Sequence, residues 1–310
     1  MKKILLFGLV ILAGTIVHGQ PTKKKSNTKE TEKTLLWKVS GNGLSKPSYL
    51  FGTMHLLCAD DIILSDSLTI AIKNSDNVYL ELDMDNIMEM MSAMTQMTMR
   101  NDTTLADLLS KEDYERVKKY FEENSTMLPF SMLETYKPLL ATSLIMQQKG
   151  SGSCSNMISM EQLVMKEAKN NGVKIKGIET MMYQVSIFDS IPYKFQAQQL
   201  LKMIEEGDKD DGTEMKLITD AYREQDLSVM EEMTKKADMG IENFTDLLLY
   251  NRNRNWAEKL KILMMERSLV VAVGAGHLPG DKGLINLLKK AGYKVEPVKN
   301  EMIRRKTKEI

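Results

Sequence analysis

The chain has 310 residues, with 42 Lys and Arg against 42 Asp and Glu, a formal net charge of zero. Nucleic-acid-binding domains usually carry a strong basic excess gathered on one face, so this even mixture excludes that class of partner. Hydrophobic residues at 43% and charged residues at 27% fit a globular chain and exclude a disordered or fibrous one.

The N-terminus combines a basic start, Met1-Lys2-Lys3, an apolar run from Ile4 to Val17 and an ending, Val17-His18-Gly19, with the small-residue spacing of a cleavage site. This pattern predicts a secretory signal peptide over 1–19. The run is shorter than the roughly 20 residues a membrane span needs, and no later stretch is long and apolar enough. The expectation is an exported product, periplasmic or secreted, with no stable membrane span after cleavage. Pro21 to Lys33 is polar, charged and without periodicity, so 20–34 reads as a flexible linker. A single domain is expected over 35–300, followed by a polar tail, 301–310. Two cysteines, Cys58 and Cys154, are read as structural, either one disulfide or two buried thiols, because no Cys-x-x-Cys or Cys/His signature surrounds them.

Short β-rich runs come first, Leu35 to Val39 and Tyr49 to Phe51, separated by Gly41-Asn42-Gly43 and Ser45-Lys46-Pro47. After Gly52-Thr53-Met54-His55, a helix is expected around Ser65 to Lys73 and a strand over Val78 to Leu82. From Asn86 to Met265 the pattern is mostly helical, with long amphipathic spans at Met132 to Gln148, Met160 to Lys169 and Phe244 to Met264, and one strand, Val173 to Ile178. Ser268 to Val273 reads as a strand, Gly280 to Lys290 as a helix and Tyr293 to Val298 as a last strand. The fold class is therefore α/β, a central sheet with a large helical insertion.

The two ends repeat each other. Tyr49 to His55, then helix and strand, matches Val271 to His277, then helix and strand, so each half is strand, G-x-x-H, helix, strand. A glycine at the strand end is expected to let the backbone turn tightly, and strand C-terminal edges are where ligand sites form in α/β sheets. A pseudo-twofold arrangement would bring both turns to one edge of a shared sheet. With His18 assigned to the signal peptide, His55 and His277 are the remaining histidines. Imidazole is a common ligand for divalent transition metals, and two such ligands with one or two carboxylates and an open position make a recurring catalytic arrangement. The carboxylate candidates are Glu81, in an apolar strand where an acid is costly unless paired, Glu179, after the middle strand, and Asp83. The methionines between Met88 and Met99 read as core packing rather than as an adaptable groove for peptides. Glu205 to Gly212 misses calcium-loop spacing and reads as a solvated connection. No G-x-S-x-G, H-E-x-x-H or P-loop motif occurs.

Phe51 to His55, Leu80-Glu81, Gly177-Ile178-Glu179-Thr180, Arg252-Asn253 with Trp256, and Val273 to Gly280 together resemble the ordered motifs of the TraB/GumN family. That family includes the TIKI metalloproteases and is similar in fold to the haem-binding ChaN proteins and erythromycin esterases. The resemblance implies an exported metal-dependent hydrolase cleaving peptide or protein substrates, with manganese or cobalt as the favoured divalent cation and zinc as a further candidate. It places His55 and His277 as motif histidines, Glu81 and Glu179 as acidic positions and Arg252 as the motif arginine. On this reading the histidines and a carboxylate hold the cation, the remaining glutamate is the general base, and Arg252 stabilises the developing oxyanion. The alternative implied by ChaN is a metal- or haem-binding protein without catalysis. Substrate and oligomeric state stay open.

Overall fold

The computed structural model describes residues 33–59, 62–124, 128–150, 156–206, 213–236 and 245–302. The expected signal peptide, nearly all of the linker and polar tail, most of the acidic connection and Cys154 lie outside the described residues.

The chain forms two compact units. The first, here the sheet unit, takes its described residues from the segments Ile11–Glu81, Asn156–Ile178 and Glu214–Ile310, and the second, the helical unit, takes them from Leu82–Ser155 and Glu179–Thr213.

The sheet unit is built on β1 (Leu36–Ser40), β2 (Ser48–Thr53), β4 (Asn77–Leu80), β6 (Lys174–Gly177), β7 (Leu269–Gly274) and β8 (Lys294–Val298), in the order β6-β4-β7-β2-β1-β8. A separate two-stranded ladder joins β3 (Leu57–Cys58) to β5 (Met157–Ile158). Strands β6, β4, β7 and β2 run parallel to one another, whereas β1 is antiparallel to both β2 and β8. The continuous apolar run of β7 is the mark of a parallel strand covered on both faces, and five of its six residues are buried. Alternation does the rest. Phe51, Val78, Leu80, Val270 and Ala272 enter one core with Leu68 and Ile72 of the helix Asp66–Lys73 and Val164 of the helix Met160–Asn170. Leu50, Tyr79, Val271 and Val273 enter the opposite core with Trp256 and Leu260 of the helix Asn251–Glu266 and Leu288 of the helix Leu284–Lys290. Each such buried side chain contributes on the order of 1.5–3 kcal/mol, so helices on both faces are what make the sheet stable.

Several expectations are corrected. The strand expected through Leu82 ends at Leu80, the last residue laddered to both Gly177 and Ala272, and Glu81 lies just past it. The helix expected from Gly280 begins at Leu284, because a turn closed from Gly283 N–H to the Gly280 carbonyl precedes it. Pro138 starts a new helix, Pro138–Gly150, separate from Phe130–Leu133, as the residue before a proline resists helical dihedrals. The two repeated halves also differ in sheet position, since β4 pairs with β7 while β8 pairs with β1.

The helical unit closes around Leu105, Val117, Phe121, Leu133, Ala141, Ile145, Ala197 and Leu200. Its buried Lys137 ammonium meets the Asp189 carboxylate at 3.0 Å and donates to the Val185 carbonyl at 3.1 Å. Core packing of the methionine cluster holds for Met97 and Met99, which are buried, and fails for Met88, Met91 and Met94 on the short helix Ile87–Met94, which are exposed. Cys58 is disulfide-bonded.

Candidate metal centre

Parallel pairing of β2 with β7, in register Gly52 to Val273 and Thr53 to Gly274, sets the two G-x-x-H turns side by side at one sheet edge. Glycine is required there for a reason other than turning: neither Gly52 nor Gly274 has positive φ. A Cβ on Gly52 would stand 3.1 Å from Ala275 Cα and Cβ, and one on Gly274 would stand 3.2 Å from Glu81 Oε1. The glycines permit close approach between the neighbouring turns and the carboxylate.

His55, Glu81, Arg252 and His277 all lie in the sheet unit. Glu81, one residue past β4, accepts the Gly274 N–H at 2.8 Å on Oε1 and the Arg252 guanidinium at 2.6 Å on Oε2. His277 Nε2 is 3.7 Å from Glu81 Oε1. A π-helical turn, Asp246–Tyr250, runs directly into the helix that carries Arg252, and such turns often mark functional positions. Arg252 Nη1 donates to the Leu248 carbonyl at 3.0 Å and lies 3.3 Å from His277 Nε2, while the guanidinium rests over the Trp256 ring, 4.7 Å from its centroid.

Hydrogen bonding fixes the His277 tautomer. Asn253 Nδ2 donates to the His277 and Lys282 carbonyls, at 3.3 and 2.9 Å, which turns Asn253 Oδ1 to His277 Nδ1 at 2.5 Å. An amide oxygen accepts only, so Nδ1 carries the proton and Nε2 presents its lone pair. Burial, with Glu81 pulling the other way and Arg252 assisting, lowers the His277 pKa to about 3, so this ring is neutral.

His55 behaves oppositely. Its Nδ1 is 2.9 Å from Glu161 Oε1. Burial lowers its pKa, but the Glu161 charge and its contact, with Glu81 behind, outweigh that and raise it to about 9. Burial pushes Glu161 up, and the His55 charge with the nearby Thr53 hydroxyl bring it below the usual carboxylate value. Burial likewise opposes ionisation of Glu81, and Arg252, His277, His55 and the Gly274 N–H together hold it well below the usual range. The mutual influence of His55, Glu81, Arg252 and His277 makes them one electrostatic cluster.

Glu179 belongs to the helical unit, where its Oε1 accepts the Gln184 side-chain amide at 2.7 Å. Glu161, Asn253 and Thr53 are additions that the reading of the sequence did not assign. Glu161 is acidic in the first turn of its helix, where carboxylates commonly favour the helix dipole, and that ordinary explanation conceals it.

In donor chemistry the cluster fits a divalent cation: two imidazoles and two carboxylates suit manganese, cobalt or zinc. Glu161 Oε1 and Oε2 and Thr53 Oγ1 are buried atoms without an aligned hydrogen bond, and buried carboxylate oxygens in that condition need a positive neighbour. Glu81 Oε1 and His277 Nε2 are close enough for one ion to touch both. In the arrangement present, no three His, Cys, Asp or Glu side chains among the described residues converge on one point, and Arg252 Nη1 faces the His277 lone pair. His55, Glu81 and His277 are the donors that would have to converge for the cluster to hold such an ion.

The fold and cluster define an α/β protein with a two-histidine, carboxylate and guanidinium centre. The chain belongs to the TraB/PrgY/gumN family, whose description it matches over residues 35–297. It is similar to Metalloprotease TIKI1 of Xenopus tropicalis, 23% identical over 87% of this chain and 63% of the relative. Metalloprotease TIKI1 of Danio rerio is 23% identical over 93% of this chain and 68% of its own length, and the Metalloprotease TIKI homolog of Nematostella vectensis is 23% identical over 86% and 68%. The chain thus spans somewhat under two thirds of the Xenopus relative. No solved structure matches it.

Proposed function

We propose that the protein is an exported, metal-dependent hydrolase acting on peptide or protein substrates. The observation that carries this reading is the buried joining of Glu81, Arg252 and His277 beside the His55–Glu161 pair at one sheet edge. The metalloprotease names of its relatives support the reaction class. The leader pattern in 1–19 and the disulfide-bonded Cys58 support export, since disulfides persist in oxidising compartments. No helix among the described residues is long and apolar enough to cross a membrane.

His55, Glu81 and His277 hold the cation, for which manganese and cobalt are the first candidates and zinc the next. Bound there, a divalent cation polarises a carbonyl and lowers the pKa of water. The chain's own contributions are specific. Asn253 keeps the His277 proton on Nδ1, leaving Nε2 as a donor atom. Arg252, anchored by Glu81, Leu248 and Trp256, directs fixed N–H groups at charge that develops on a substrate oxygen. Such preorganised donors need no rearrangement during reaction. His55 keeps 21% of its side-chain surface exposed and His277 only 6%, so substrate approaches from the His55 side.

The test is a peptide-library cleavage assay on purified full-length chain. Cleavage is expected to stop with a chelator, return with Mn²⁺ or Co²⁺, and be lost in H277A. Undiminished cleavage under chelation and in H277A would refute the reading, and cation uptake without any cleavage would favour the non-catalytic binding protein.

A further inference from the structure

Glu161 has no part in the mechanism above, yet its position is expensive. It is the second residue of the helix Met160–Asn170, whose N-cap, Ser159, accepts the Gln162 N–H at 3.1 Å. The helix therefore has its cap without Glu161. An acid that served only the helix dipole would do so from the surface, whereas both Glu161 oxygens are buried without an aligned hydrogen bond. The neighbouring Tyr222 hydroxyl is committed elsewhere, donating to the Gly52 carbonyl at 3.0 Å. What Glu161 does meet is His55 Nδ1, at 2.9 Å.

We propose that Glu161 is the positioning residue of His55: by occupying the Nδ1 side of the ring, it leaves Nε2 as the nitrogen His55 offers to a divalent cation. The second half of the repeat supplies an independent parallel. His277 is also held at Nδ1, by Asn253 Oδ1, and presents Nε2 toward Glu81. Both halves thus hold their histidine by the same ring nitrogen, one with a charged carboxylate and one with a neutral amide. A carboxylate behind a ligating imidazole fixes its orientation and raises its basicity, and losing such a partner typically costs 10–100-fold in metal affinity. His55 is accordingly the stronger of the two imidazole donors.

The inference rests on the metal-centre reading, and cobalt separates the two. Full-length chain, stripped with chelator, is titrated with Co²⁺ by visible absorbance for wild type, H55A, E161Q and E161A. The loaded proteins are then compared by proton NMR for hyperfine-shifted, exchangeable imidazole N–H signals. Wild type is expected to show two such signals, one per histidine. E161A should raise the Co²⁺ Kd on the order of 10–100-fold and broaden or lose one signal. E161Q keeps an oxygen that accepts the Nδ1 proton, so it should retain both signals while losing part of the affinity. Circular dichroism checks folding, and if E161A does not fold, E161Q decides on affinity. Wild-type affinity and both signals in the folded Glu161 variants, with cobalt lost in H55A, would overturn the role of Glu161 and leave the metal centre standing. A wild-type chain that takes up no cobalt would overturn both.

Discussion

Arg252 is fixed by four partners, Glu81, His277, Leu248 and the Trp256 ring, and lysine cannot replace it. A single ammonium does not span three acceptors while lying flat on an indole. R252K is expected to lower kcat/KM on the order of 10²-fold with the fold retained. R252A should in addition destabilise the protein by about 3–5 kcal/mol, because it leaves the Glu81 charge without its main partner, and E81A combined with R252A should recover part of that loss. Urea unfolding beside steady-state kinetics checks both, and wild-type kinetics in R252K would reduce Arg252 to a structural role. At this scale the sequence was readable where residues are scarce or patterned: His55 and His277 each stand in a G-x-x-H motif, and Arg252 belongs to a recognisable run. Glu161 was not readable. A carboxylate in a first helical turn has an ordinary explanation, and only the burial of its two oxygens, set by tertiary packing, argues otherwise.

The elements follow the same division. The apolar runs of β4 and β7 announce themselves because parallel strands are covered on both faces, but the two-residue ladder β3–β5 is too short to leave a pattern. Sheet order was beyond reach. Nothing local dictates that β1 inserts antiparallel between β2 and β8, since that choice is made by long-range pairing. The two motif glycines look equivalent in sequence and are not. In G52A the new methyl meets Ala275 Cα and Cβ and Leu278 Cδ1, all at 3.1 Å. Backbone cannot step aside, so a loss of about 1–3 kcal/mol in stability is expected. In G274A the nearest atom is Glu81 Oε1 at 3.2 Å, the end of a side chain that can move. A small shift of the carboxylate relieves that contact and weakens its bonds to the Gly274 N–H and Arg252 without breaking the ion pair, so the stability loss should be smaller than in G52A while the rate falls about tenfold or more. Unfolding curves and kinetics measured on both variants would contradict this account if the two losses fell the other way round.

On the scale of the whole molecule, the cluster draws its members from distant parts of the chain that the sheet unit gathers together. His55 follows β2, Glu81 follows β4, Glu161 opens a helix after β5, and Arg252 and His277 flank β7. A ligand bound there ties those segments to one another in the native state alone, so it stabilises by mass action: about 2.7 kcal/mol at a free concentration 100 times its Kd. For a domain of 150–250 residues each kcal/mol moves Tm by about 2–4 °C, so Mn²⁺ or Co²⁺ at that excess should raise Tm by roughly 5–10 °C. H277A should abolish the rise, because the neutral ring with its fixed Nδ1 proton is then absent. The location of the effect matters as much as its size. Hydrogen exchange should slow on cation addition in β2, β4 and β7 and in the turn Ala275–His277, the segments that hold the cluster. A Tm indifferent to both cations, or protection that rises evenly across the helical unit's Lys111–Glu123 and Tyr193–Glu206 helices instead, would place the cation elsewhere and separate it from these histidines.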